Sequence, residues 1–333
     1  MVVAQTAARN FTDASIRAFT LHLILGGLES AFMKTRLAVL TVISLSASAA
    51  LAAVTVDGTK DGDYGAALAV QTVETGFGDN FSEWNAAYGR VEGGRLYLML
   101  TGNLEANFNK LEIFIDSKAG GQSVFTSAGN DNANRMNGLV FDAGFTADYH
   151  VIVRRGNNLG NDTFDLDFAN LGAATSSSYV DFLGGGGLVG TGNTGTGVNG
   201  NPIGAGYDNS NIAGIGGNAP NAANQLAALG VTTGLEISIA LADLGAIGDI
   251  RVMVGQNGGG HDYWSNQFLG GLPAPSGNLG GDENGGFTGE GAIDMTHFAG
   301  DQFFVVHVPE PSSLALMAVG SLMLFVRARR TQK

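Results

Sequence analysis

The sequence predicts an all-β protein: a single β-sandwich of about ten short antiparallel strands, with Gly-rich loops and one short helix. An N-terminal signal helix and a C-terminal hydrophobic helix flank it. Three observations carry this reading. Leu111, Ile113 and Ile115 alternate with Glu112 and Asp116, and Leu235, Ile237 and Ile239 alternate with Glu236 and Ser238, the period of a half-buried strand. Gly makes up 52 of 333 residues, about twice the usual share of roughly 7 %, which suits many turns and argues against a helical bundle. Cysteine is absent, so disulfides, thiolate metal sites and Cys nucleophiles are excluded and the fold rests on its core or on bound ions.

Residues 1–32 lack the order of a secretion signal and read as an extension ahead of the true start at Met33. Lys34 and Arg36 then form a positive n-region, residues 37–48 an apolar h-region, and Ala50-Leu51-Ala52 a small-residue cleavage site, with Ala53 as an alternative end. The apolar run is shorter than the ~20 residues a spanning helix needs. Residues 33–53 are therefore expected to be removed by signal peptidase.

Residues 54–308 form the expected sandwich. Segments 86–91 and 96–101 flank Glu92-Gly93-Gly94-Arg95, where Gly-Gly supplies the positive φ of a tight hairpin. Further strands are expected at 111–116, 139–142, 149–154, 163–167, 179–183, 235–239, 250–255 and 303–308. A helix is expected over 220–229, capped by Asn218 or Asn221 and stopped by Gly230. Segments 184–217 and 270–291 are low in complexity and read as long surface loops. This region holds nine basic and 27 acidic residues, a net of −18. Nucleic acid is therefore not expected as a partner, since its binders must neutralise phosphates with Lys and Arg.

The C-terminal 309–333 has three parts in order: Pro309-Glu310-Pro311, an apolar stretch over 312–326, and Arg327-Ala328-Arg329-Arg330. This order resembles the PEP-CTERM sorting signal of bacterial exosortase substrates. The resemblance implies processing near Pro309-Glu310-Pro311 by an exosortase-type enzyme, then release or attachment at the cell surface. The physical reading agrees. As a helix, 15 residues span about 22 Å, short against a hydrocarbon core of about 30 Å, so the stretch suits transient membrane insertion. Arg327, Arg329 and Arg330 are costly to translocate and stay cytoplasmic. An ordinary tail anchor is the alternative.

The segments Val56-Asp57-Gly58-Thr59, 83–88, 96–104 and 111–116 are similar in rhythm to DOMON-like sandwiches and the carbohydrate-binding modules built on them. The similarity spans residues 54–120 and bears on fold more than ligand, because sandwiches host many functions.

Candidate ligand-binding residues are Trp84, beside Glu83 and Asn85, and Asp262, Tyr263 and Trp264 in the segment His261-Asp262-Tyr263-Trp264-Ser265-Asn266 after a Gly turn. Aromatic rings among polar residues on a loop make a sugar-binding rim. The alternative is that both tryptophans pack in the core, where Trp is usually found. No metal or cofactor motif is present. Calcium is the one ion to consider, at Asp79-Asn80, Asn130-Asp131-Asn132, Asp162/Asp165/Asp167 or Asp282-Glu283-Asn284; none has EF-hand spacing, and solvated turn residues are the alternative. There is no H-E-x-x-H and no G-x-S-x-G. The chain is expected not to be an enzyme but an exported envelope or matrix protein associating with extracellular polysaccharide. A purely structural or adhesive surface protein, or a secreted hydrolase of unrecognised type, are the alternatives.

Overall fold

The computed structural model describes residues 54–309, apart from 79, 159, 184–188, 212, 218–219 and 289–291. Two antiparallel sheets face one another. The first runs in the order β1 (Ala69–Val70), β2 (Trp84–Glu92), β3 (Arg95–Gly102), β10 (Gly234–Ala240), β9 (Gly204–Asp208) and β8 (Val189–Asn193). The second runs β12 (Trp264–Leu269), β11 (Ile250–Asn257), β4 (Lys110–Asp116), β5 (Tyr149–Asn158), β6 (Asn161–Asn170) and β7 (Thr175–Tyr179), with β13 (Phe304–Val306) paired to the start of β11. The all-β sandwich read from the sequence is what the chain forms.

Period-two alternation decides what lies between the sheets. Leu96, Leu98 and Leu100 from β3 and Leu235, Ile237 and Ile239 from β10 meet Leu111, Ile113 and Ile115 from β4 and Val151 and Val153 from β5. Gly93 (φ 57°) and Gly94 (φ 78°) close the β2–β3 hairpin in the left-handed region, as their sequence implies. A second apolar layer covers the outer face of the second sheet. There Phe114, Ile152 and Met253 meet Phe125, Phe141 and Phe145 from segment 117–148, together with Trp264, Phe268 and Leu279. The outer face of the first sheet is partly covered by the N-terminal segment, pinned where buried Glu236 accepts the N–H groups of Asp57 (2.9 Å) and Gly58 (3.2 Å) and the Tyr64 hydroxyl (2.6 Å).

Several expected boundaries are corrected. Segment 184–217 is no plain loop, because it contributes β8 and β9. In β9, Tyr207 turns into the core while Gly206 lies under the Asp57 backbone, so close that a Cβ would come within 2.5 Å of it. Glycine there signals a packed strand face. The helix expected over 220–229 is only α1 (Gln225–Gly230), capped by Asn224, because Ala222 and Ala223 stay extended to pair with Val73 and Thr72. A second helical turn, α2 (Leu241–Leu244), follows β10. Segment 139–142 forms isolated bridges only, and β7 ends where a strand was expected to begin. The segment 261–266 is half strand, since β12 starts at Trp264. Among the described residues no helix is long and apolar enough to cross a membrane; the signal segment 33–53 and the expected membrane helix 312–326 lie outside the described residues.

Candidate functional site

On the outer face of the second sheet, alternation brings charge into the interior. Lys110 and Glu112 from β4, His150 and Arg154 from β5, and Asp165 and Asp167 from β6 all point the same way, and all are buried. Glu112 lies between two imidazoles: its Oε2 is 2.7 Å from His150 Nε2 and its Oε1 2.6 Å from His261 Nδ1. His261 Nε2 continues to Asp131 Oδ2 at 3.2 Å, and Asp131 also pairs with Lys110 (2.7 Å) and Arg154 (3.2 Å). Arg154 in turn binds Asp165 and Asp167.

Burial opposes the charge on Glu112, but the His261 charge and hydrogen bonds from both rings outweigh it and bring the carboxyl down to about 2. Burial likewise opposes the His261 cation, and Glu112 and Asp131 outweigh it, raising the imidazole to about 9. Asp131 is held well below the usual carboxylate range, because hydrogen bonds from His261 and Lys110 overcome its burial. A carboxylate so well compensated is a poor proton acceptor. The network acts as a clamp, tying segment 117–148 and the turn 258–263 onto the sheet. His261 (φ 56°), Asp131 (φ 42°) and Asn132 (φ 58°) hold left-handed backbone to complete it. A cleft of about 320 Å³ beside it is lined by Asp131, Asn132, Arg135, His261 and the turn 259–260.

The clamped turn presents Tyr263. Asn257 Oδ1 accepts the N–H groups of both Gly258 (2.8 Å) and Tyr263 (3.1 Å), fixing the turn from both sides. The Tyr263 ring then stacks on Phe287 (centroids 5.3 Å apart, planes at 25°) and on Phe77 (6.2 Å, 26°). Phe287 is 76 % exposed, and Phe81, close by in sequence to Phe77, is 52 % exposed. Asp282 and Asn284 are exposed on the loop that carries Phe287.

The four expected ligand-binding residues part ways here. Trp84 (1 % exposed) and Trp264 (0 %) are core residues and offer no face to a sugar, which corrects their expected place on a rim. Trp84 packs between the sheets and donates its indole N–H to Gln256 Oε1 at 2.7 Å, while Trp264 stacks on Phe268. Asp262 is buried and paired with Arg135 at 3.0 Å. Only Tyr263 reaches the surface. The sequence reading missed its partners Phe77 and Phe287, the latter because its Gly-rich surroundings read as low complexity.

Of the acidic turns weighed for calcium, Asp131, Asp165 and Asp167 already share Lys110 and Arg154. Asp282 accepts the backbone N–H groups of Asn284 and Gly286, and Glu283 pairs with His297. Asp79 lies outside the described residues. Among the described residues no three His, Asp or Glu side chains converge as metal ligands.

Pro309 is exposed at the end of the described chain; Glu310, Pro311, Arg327, Arg329 and Arg330, like Ala50, Ala52 and Ala53, lie outside it. Residues 307–330 match the family model of the PEP-CTERM protein-sorting motif. No curated protein and no solved structure matches the chain.

Proposed function

Because the chain is an exported surface protein sorted through a PEP-CTERM signal, we propose that its folded part is a non-catalytic component of the cell envelope or extracellular matrix that associates with polysaccharide. Signal peptidase removes the N-terminal segment after Ala52 or Ala53. Residues 312–326 hold the chain in the membrane until the exosortase-type enzyme acts near Pro309-Glu310-Pro311. One observation carries the polysaccharide reading: Tyr263 on a clamped turn, stacked with Phe77 and with Phe287, and Phe287 three-quarters exposed. A rigid apolar ring face beside exposed carboxylate and amide groups suits the C–H face and hydroxyls of a sugar ring.

The test is retention of the detergent-solubilised full chain on a panel of insoluble neutral polysaccharides, with Phe287→Ala and Tyr263→Ala alongside. Retention by the wild type and its loss in both variants is the expected result. Flow-through of the wild type on every polysaccharide would instead leave a structural or adhesive surface protein. Release of soluble sugar would point to a hydrolase.

A further inference from the structure

Among the described residues, segment 54–64 leaves part of the first sheet's outer face uncovered. The gap is a groove of about 490 Å³, walled by Val54 and Val56 and floored by Arg95, Tyr97, Ser238 and the edge strand β8 with Thr191 and Asn193. Arg95 is set apart within it. Its Nε donates to Ser238 Oγ at 2.5 Å, and its Nη2 to the carbonyls of Ser238 (2.7 Å) and Pro202 (2.9 Å), all neutral acceptors. Both N–H groups of Nη1 are without a partner among the described residues. The cross-strand neighbour Glu92 pairs with Arg90 at 3.2 Å and leaves Arg95 alone.

Across residues 54–308 the 27 acidic side chains outnumber the nine basic ones threefold. Arg90, Lys110, Arg135, Arg154, Arg155 and Arg251 each have a carboxylate, and Lys60 and Lys118 each lie over a tyrosine ring. Among the described residues Arg95 alone of the nine has neither. A guanidinium held rigid by three neutral acceptors, with charge and donors to spare, suits an incoming carboxylate.

We infer that this groove is a second sugar site, one that binds an acidic sugar: its carboxylate on Arg95, its ring against Tyr97 and its hydroxyls on Ser238, Thr191 and Asn193. The site extends the polysaccharide reading to uronate-bearing chains and uses none of the residues around Tyr263.

The test is calorimetric titration of the full chain with a galacturonate trimer and with the uncharged galactose trimer. The acidic trimer is expected to bind and the uncharged one to bind at least tenfold more weakly, with affinity falling as salt rises. Arg95→Gln should weaken the acidic trimer roughly 10- to 100-fold, the range of one hydrogen bond to a charged group, and Arg95→Lys should restore part of the loss. Thr191→Glu, on the exposed edge strand, should repel the acidic trimer with Arg95 still in place, so the result does not hang on how Arg95→Gln folds. Phe287→Ala should leave this binding unchanged even where it abolishes retention on neutral polysaccharide. Equal binding of the two trimers, or wild-type affinity in both Arg95→Gln and Thr191→Glu, would overturn the inference. Displacement of the trimer by millimolar sulfate or phosphate alone would reduce the site to a general anion site, which also overturns it.

Discussion

Replacing Glu112 by glutamine keeps the shape of the clamp and removes the charge at its centre. In the wild type the His261 imidazole rises from 6.5 to about 9 and the Glu112 carboxyl falls from 4.5 to about 2. The two shifts share the Glu112–His261 contact, to which His150 adds on one side and Asp131 on the other, so they are taken together for the network and not summed. At ~1.4 kcal/mol per pH unit, the interaction stabilises the fold by about 3 kcal/mol. The share seen through His261 is complete below pH 6.5 and is lost as pH rises through about 9. The share seen through Glu112 is complete above pH 4.5 and is lost as pH falls through about 2. Stability should therefore peak between those inner limits and decline toward alkaline pH. Glu112→Gln leaves a buried imidazole between neutral groups and Asp131, with Lys110 and Arg154 close by, so His261 should lose most of its upward shift. The expected cost near pH 6 is about 3 kcal/mol, or roughly 6–12 °C in Tm for a domain of this size. Urea unfolding followed by the fluorescence of buried Trp84 and Trp264, from pH 5 to 9.5, reads both effects. A wild-type stability flat between pH 6.5 and 9.5, or a Glu112→Gln cost below about 1 kcal/mol, would refute the clamp.

Trp264→Ala removes a fully buried indole and should cost about 3–5 kcal/mol, measured by urea unfolding, so any loss of sugar retention in it would report on folding rather than contact. Gly206→Val pushes a branched side chain into the Asp57 backbone, which a Cβ would already approach to 2.5 Å; it should destabilise the fold by about 1–3 kcal/mol and free the 54–64 segment to limited proteolysis. Alanines in place of Pro309, Glu310 and Pro311 should yield a mature chain that still carries residues 314–326, seen by intact mass of the envelope fraction, whereas the wild type should lack them.

Local signals made much of the sandwich legible. The alternation through Leu111, Ile113 and Ile115 placed β4, and Gly93-Gly94 placed the β2–β3 hairpin, because both depend on residues adjacent in sequence. β9 was missed because its Gly206 serves close backbone contact with Asp57, 149 positions away along the chain, and such contact leaves no local trace. The clamp was invisible for the same reason: Glu112 meets His150 across 38 positions and His261 across 149. In the segment 261–266, composition marked the aromatic residues but could not tell which ring turns inward. That was decided at Trp264, where β12 begins and its indole turns into the outer layer while Tyr263 stays in the turn. The C-terminal sorting motif was the easiest to read, since such a signal is recognised as linear sequence.

A protein exported without cysteine must close its long loops by some other tie. Disulfides in secreted domains typically contribute about 2–4 kcal/mol, and the contribution expected above for the Glu112–His261–Asp131 clamp, about 3 kcal/mol, falls in that range. The ionic tie needs no oxidase to form it and no isomerase to correct a wrong pairing. Without cysteine, it offers nothing to oxygen level or thiol chemistry outside the cell. Its vulnerability moves from reductants to alkali.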